Sequence, residues 1–384
     1  MAPENFDRII DRRDTASEKW EKYRNTEILP MWVADTDFMS PPAVIEALRQ
    51  RIDHGVFGYT NTPDELVERV IARLQQLYGW HIEPDWLVWL PGLVCGLNLS
   101  CRAVGRDDDS VLVPKPVYPP FMSAPRFSSR QLITVPMQQQ GHRWLIDFDA
   151  LEAAIEPDSR LLLFCNPHNP GGAVYRREEL ARLAAIAEAH DLVICSDEIH
   201  CDLILEPELS HVPLASLGPA IEARTITLMA PSKTYNIAGL GCSFAIIPDP
   251  ELRRAFRRVR KGIVPGVNLL GYTAALAAYR DGDDWNRRQL EYLRANRDYL
   301  VSEINQIPGL HMEPVEATYL AWIDISAAKL ENPAHFFEQA GVGLSPGRDF
   351  GDDRYMRLNF GCPRGLLEEA VHRIRSAMLN SLPA

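Results

Sequence analysis

Lys233 has the clearest chemical use in the chain. It lies in Ala230-Pro231-Ser232-Lys233-Thr234-Tyr235-Asn236, after an apolar β-branched run from Thr225 to Met229. A Gly-rich turn, Ala238-Gly239-Leu240-Gly241, and a second apolar run over 244–247 follow it. The pattern predicts strand, tight connection, strand, with the amine held rigidly at a sheet edge. A nucleophilic lysine must be partly neutral at working pH, and apolar walls or nearby cations disfavour the ammonium. Such an amine suits a Schiff base with an aldehyde cofactor, pyridoxal 5'-phosphate (PLP). The plain alternative is a solvated lysine beside a turn.

Other polar groups stand just past predicted strands. Pro91-Gly92-Leu93-Val94 follows an apolar run over 86–90 and opens a helix. A helix start of this kind offers free N–H groups to an anion, although an ordinary tight turn reads the same way. Pro116-Val117-Tyr118-Pro119-Pro120-Phe121 sets an aromatic ring in a Pro-rigidified loop, or packs it in the core. Asn166-Pro167-His168-Asn169-Pro170-Gly171-Gly172 holds more turn formers than a plain turn needs and projects amides inward. In Ser196-Asp197-Glu198-Ile199-His200, a carboxylate at a strand end beside a buried run must find a cation or hydrogen-bond donors. No second histidine stands at metal spacing from His168, so it is assigned to its loop and no metal site is expected. Gly239-Leu240-Gly241 lacks the rest of a dinucleotide fingerprint and does not follow the right strand, so a nicotinamide cofactor is not expected.

The elements that must position these groups alternate. Apolar runs at 86–90, 111–113, 132–135, 161–165, 192–195, 225–229 and 244–247 predict strands, with amphipathic helices such as 178–190 between most of them. Continuous apolar strands alternating with helices predict an α/β domain with a largely parallel sheet covered on both faces. Ligands of such sheets collect at the carboxyl ends of the strands. A long amphipathic stretch at 285–307 precedes strands at 319–323 and 355–360 and helices at 333–340 and 366–379, a smaller α+β domain. The expected division is an N-terminal segment (1–45) joined to the small domain, a large cofactor-binding domain (46–284) and a C-terminal small domain (285–384).

Bulk properties narrow the classes. The 384 residues, 46% hydrophobic and 24% charged, suffice for a large core, and a net charge of −12 gives no general attraction for nucleic acid or anionic membrane. The basic run at 253–261 has Leu252, Phe256 and Val259 at helical spacing and predicts a helix with a solvated basic face. Seven cysteines with no C-x-x-C pair read as buried free thiols in a reducing compartment. The N-terminal stretch Met1 to Arg8 lacks an apolar leader core and no stretch approaches membrane-spanning length, so a soluble cytoplasmic protein is expected.

Taken together and in order, these motifs resemble the class I/II aminotransferase superfamily, the fold-type-I PLP enzymes, across nearly the whole chain. Within it they are most similar to the MalY/PatB family of carbon–sulfur β-lyases, which includes cystathionine β-lyases. Met31-Trp32-Val33-Ala34-Asp35-Thr36-Asp37-Phe38 and Arg357-Leu358-Asn359-Phe360-Gly361-Cys362-Pro363-Arg364 carry the resemblance with the Asn166, Ser196 and Ala230 motifs above. The resemblance implies a large domain with a mostly parallel seven-stranded sheet. It implies that Lys233 anchors PLP and then moves the Cα proton, and that Asp197 pairs with the pyridinium nitrogen. Tyr118 and Ile199 would cover the two ring faces and Asn169 would donate to the ring phenolate oxygen. His200 stands where many aminotransferases place a tyrosine at that oxygen. The phosphate would sit on Gly92, Leu93 and Val94 with Ser232 nearby, and Tyr59 would reach it from the neighbouring subunit of a homodimer. Arg357 would clamp the substrate α-carboxylate as a bidentate fork, helped by backbone near Ala34.

Two positions depart from the aminotransferase pattern: Gly241 replaces a phosphate-binding arginine, and Ala230 replaces a hydroxyl residue. The implied reaction is α,β-elimination from cystathionine or another cysteine S-conjugate, yielding pyruvate, ammonia and a thiol. Its enzymatic rival is transamination of an amino acid. A rival of another class is the repression of a transcription activator by contact, known for one family member.

Overall fold

The computed structural model describes residues 5–381. Residues 1–4, the start of the stretch read above for a leader, lie outside them. All seven apolar runs form strands of a single sheet: β1 (Leu87–Leu90), β2 (Ser110–Lys115), β3 (Gln131–Gln140), β5 (Ser159–Cys165), β6 (Val193–Asp197), β7 (Thr225–Met229) and β8 (Ser243–Ile246). An eighth strand, β4 (Arg143–Ile146), folds back on the extended end of β3, and the order is β1-β8-β7-β6-β5-β2-β3-β4. Its hairpin turns at Gly141, which takes φ 62°, and its partner residues Gln138, Gln139 and Gln140 are exposed. The sequence pattern missed this strand, although its Trp144, Leu145 and Ile146 are buried.

Strands β2, β3, β5, β6 and β7 are mutually parallel, whereas β8 is antiparallel to both of its neighbours. The central strands read as unbroken apolar runs because both faces are covered. Leu161 and Leu163 pack with Leu97 and Phe121 on one side; Leu162 and Phe164 pack with Leu180 and Leu183 on the other. The helix of the basic run, Pro250–Arg260, is not solvated along its whole basic face. Arg253 turns inward to Asp85 at 2.7 Å and to the carbonyls of Ile247 and Pro248, because the end of β8 leaves those acceptors free.

A second, antiparallel sheet holds β9 (His311–Met312), β10 (Leu320–Asp324), β12 (Tyr355–Asn359) and β11 (Ser345–Pro346), in that order. The long helix Asp283–Ile304 and the last helix, Arg364–Asn380, pack beside it. Leu29–Pro30 pairs in parallel with Val342–Gly343, which ties the N-terminal segment to this region. One apolar cluster runs from Val44, Leu66 and Ala274 through Leu293 to Met356 and Ile374, so the two sheets share a core. No helix among the described residues is long and apolar enough to cross a membrane.

Candidate active site

The carboxyl ends of β1, β2, β5, β6 and β7 open onto a cavity of about 1060 Å³, closed by the N-terminal segment and by Ser345, Phe350 and Arg357. Every expected site residue except Tyr59 lines it: Ala34, Gly92, Leu93, Val94, Tyr118, Asn169, Asp197, Ile199, His200, Ser232, Lys233 and Arg357. Tyr59 is fully exposed, on a loop with the exposed Val56 and Phe57, and does not reach the site of its own chain.

Lys233 follows β7, an interior strand, so the amine stands at the strand's carboxyl end and not at a lateral edge of the sheet. Its Nζ donates to the Ala34 carbonyl at 2.6 Å. Burial lowers its pKa and Arg357 adds to this, while Asp35 and Asp197 oppose. Tyr319, a residue the sequence reading missed, donates its hydroxyl to the same carbonyl at 3.0 Å. Ala34 therefore offers an acceptor to the lysine, and only its N–H is left for an anion.

Asp197 and Glu198 end one strand and sit in opposite environments. Glu198, wholly buried, accepts from Ser196 Oγ at 2.8 Å and Leu214 N at 3.1 Å and pairs with His211 Nε2 at 2.7 Å. Asp197 is 6% exposed and accepts only from Ile199 N at 3.1 Å. Burial pushes its carboxyl up to about 7, with Glu198 adding to the rise. Ile199 N–H and the Lys233 charge oppose that rise, but no cation among the described residues pairs with the carboxyl, and a buried acid of this kind facing a cavity is a place for a positively charged or protonated ligand atom.

Arg357 is held from several sides. Its Nη1 donates to Asn169 Oδ1 at 2.9 Å, its Nη2 to Trp32 O at 2.8 Å, and it lies 4.5 Å over the Phe350 ring. Its Nε has no partner, and burial lowers its pKa to about 10, still cationic at neutral pH. With its oxygen taken, Asn169 keeps its amide nitrogen to donate. His200 is buried with Nδ1 unpartnered, and burial, then Lys233 and Arg357, drive its pKa down to about 3, so the imidazole is neutral. Tyr118 precedes the helix Pro119–Phe127 and donates its N–H to Asn169 O at 3.2 Å, which joins the two loops.

Gly92 precedes the helix Leu93–Ala103, whose first N–H groups have no side-chain cap and face the cavity near Ser232, an anion cradle. At Gly241 φ is 61° and a Cβ would come within 3.1 Å of Pro91 O, so this backbone disfavours the arginine that the aminotransferase pattern places there. Gly172 has φ 68°, and a Cβ there would run into Val315. His168 is a loop residue: Nε2 meets Pro116 O at 3.0 Å, Nδ1 accepts from Gly171 N at 3.2 Å, and burial lowers its pKa to about 4.

The N-terminal wall escaped sequence reading. Asp37, 3% exposed, is gripped by Lys19 Nζ at 2.6 Å, Arg12 Nη1 at 2.7 Å and Trp20 Nε1 at 3.1 Å. Asn236 ties the same segment to the lysine loop through Thr36 and Phe38. The paired acids of the Met31 motif were a signal that cations must exist; which ones was not encoded in any spacing. The site thus combines an amine with a lowered pKa, an unpaired buried carboxylate, an anion cradle and an oriented guanidinium, a set that fits PLP and an α-amino acid.

The model for aminotransferase class I and II matches residues 26–374. Cystathionine β-lyase PatB of Bacillus subtilis is 36% identical over 386 residues, covering 97% of this chain and 100% of the relative. The crystal structure of OvoB superposes with a TM-score of 0.96 at 51% identity, covering 98% of this chain and 100% of the other. Cystalysin from Treponema denticola, whose crystal structure contains PLP, gives 0.94 at 31% identity, over 98% and 99% of the two chains. With a match over most of its length and full-length relatives of this identity, the chain belongs to the aminotransferase class I and II family.

Proposed function

We propose that this protein is a PLP-dependent carbon–sulfur β-lyase that cleaves cystathionine or related cysteine S-conjugates to pyruvate, ammonia and a thiol. The observation that carries the reading is that Lys233, Asp197 with no ion-pair partner among the described residues, and Arg357 line one cavity. The names of the relatives, cystathionine β-lyase among them, favour elimination over transfer.

When bound, PLP supplies an aldehyde that captures the substrate amine and an electron sink for the charge left at Cα. Lys233 would anchor it, Asp197 would keep its ring nitrogen protonated, and Asn169 with His200 would meet its ring oxygen. Tyr118 and Ile199 would cover its faces, and Gly92, Leu93, Val94 and Ser232 would take its phosphate. Arg357, cationic and fixed by Asn169 and Trp32, binds the α-carboxylate through the edge that includes its free Nε. This orients the Cα proton towards the Lys233 amine, which acts as the base. The bond from Cβ to sulfur then breaks with its electron pair leaving on sulfur, which takes up a proton and departs as the thiol. The three-carbon remainder takes up water to end as pyruvate and ammonia.

The test is cystathionine without any keto acid. Continuous pyruvate release is expected, and Lys233→Ala should abolish it; a single stoichiometric half-turnover would establish transamination instead. The yellow colour of the purified protein should be fixed by borohydride onto Lys233.

The active unit is proposed to be a homodimer in the cytoplasm, with the partner subunit's Tyr59 completing the phosphate site. The exposed Val56, Phe57 and Tyr59 support this, since apolar side chains on a projecting loop favour burial against a second surface.

A further inference from the structure

We propose that Tyr319 is a positioning residue for the proton transfer: through the Ala34 carbonyl, its hydroxyl sets where the Lys233 amine stands as a base. The inference rests on the reading of Lys233 as the base of the proposed reaction and adds the part that aims the amine.

The carbonyl is fixed by the turn that carries it. Asp35 N donates to Val33 O at 2.9 Å, a γ-turn with Ala34 at its apex. Asn359, wholly buried, pins both ends of that turn, since its Nδ2 donates to Val33 O and to Asp35 O. The apex oxygen takes two donors, Lys233 Nζ at 2.6 Å and Tyr319 Oη at 3.0 Å. A carbonyl oxygen has two lone pairs, so with the hydroxyl on one the amine is confined to the other.

Tyr319 is itself aimed. Its ring is wholly buried, and Thr318 before it takes φ 74°, an outlier for a β-branched residue that persists only where the surroundings fix it. Those surroundings are the two cavity loops. Thr318 N donates to Leu203 O at 2.9 Å, just past His200, and Ala317 N donates to Gly172 O at 3.0 Å, at the end of the Asn169 loop. Gly361 makes room for the ring, because a Cβ there would come within 3.2 Å of Tyr319 Cγ and 2.8 Å of Thr36 Cγ2. Packing alone would be met equally by phenylalanine. Backbone strain beside a phenol whose hydroxyl reaches the lysine's own acceptor points to aim instead.

The proton passes from the substrate Cα to the Nζ lone pair, and the C–H electron pair stays with carbon for the cofactor to take up. An amine that donates one N–H to a fixed oxygen can turn that lone pair in fewer directions. Sharing the oxygen also bears on charge. Burial and Arg357 disfavour the ammonium, Asp35, Asp197 and Glu18 favour it, and the imidazole of His200 is neutral. An unshared oxygen would bond the ammonium more strongly and side with the acids.

Tyr319→Phe removes one oxygen and keeps the ring. In the holoenzyme it should lower kcat for pyruvate formation from cystathionine about tenfold or more, with KM and PLP content unchanged. The isotope effect on kcat with Cα-deuterated substrate should rise. In cofactor-free protein, Lys233 is labelled with limiting acetic anhydride from about pH 6 to pH 10 and read by peptide mass spectrometry. The midpoint of its reactivity should move up by about half a pH unit or more in Tyr319→Phe, while that of the exposed Lys261 stays in place. An unmoved midpoint, or a kcat loss with an unchanged isotope effect, would overturn the inference and leave Lys233 as the base. Pyruvate formation that survives Lys233→Ala would sink the base reading itself, and this inference with it.

Discussion

Two adjacent acids, Asp197 and Glu198, show how one strand end serves both structure and chemistry. Glu198 points into the protein and has its hydrogen bonds filled; Asp197 points into the cavity and does not. Replacing His211 by Ala strands the Glu198 carboxylate in the interior, and this should cost about 3–5 kcal/mol in denaturant unfolding. Replacing Glu198 and His211 together by Gln and Leu should recover part of that loss. Arg357 belongs to the other kind. Arg357→Lys keeps a cation but loses the planar fork, and should raise KM for amino-acid substrates about tenfold or more with PLP content unchanged. Absorbance of the bound cofactor and initial rates separate the two effects.

At the scale of elements, the large sheet was legible because its strands are buried on both faces and carry continuous apolar runs. The cavity loops were legible because Asn-Pro-His-Asn-Pro-Gly-Gly and Ser-Asp-Glu-Ile-His are dense in residues that a plain turn does not need. The edge strand Arg143–Ile146 was not: its Trp144, Leu145 and Ile146 are buried, but the strand end it pairs with is the exposed Gln138, Gln139 and Gln140. Nor was the N-terminal wall, where Arg12 and Lys19 meet Asp37 across 25 and 18 residues of irregular chain with no periodicity to reveal them. This wall is pinned by a buried charge. Lys19→Met should remove the buried cation from Asp37 at a cost of about 3 kcal/mol. Limited proteolysis should then cut within residues 5–28 while the sheet domain survives.

For the molecule as a whole, pH acts through buried groups of opposite sense. The imidazoles of His168 and His200 are lowered by burial to about 4 and about 3. The unfolded chain therefore binds their protons first, and these residues add stability that is lost as pH falls from about 6.5 towards those values. Asp197, raised by burial to about 7 from 3.8, works the other way. Its stabilisation is present at low pH and is lost as pH rises between these two values, where the unfolded chain has released the proton and the folded one still holds it. Cofactor-free Asp197→Asn should thus gain on the wild type progressively from pH 4 to pH 7 in thermal melts, with a constant difference outside that window. The dimer is tested by mixing inactive Lys233→Ala with Tyr59→Ala protein. Random reassociation should restore about a quarter of wild-type activity, because half the dimers then hold one intact site.

The Lys233 amine and the Tyr319 hydroxyl converge on a main-chain oxygen, that of Ala34. No single replacement of a side chain can delete that atom, so a saturation scan at position 34 would report tolerance limited only by bulk. Shortening the Trp32-to-Asp37 segment by one residue shifts the oxygen itself, and a deletion library should find there an intolerance that substitution libraries leave invisible.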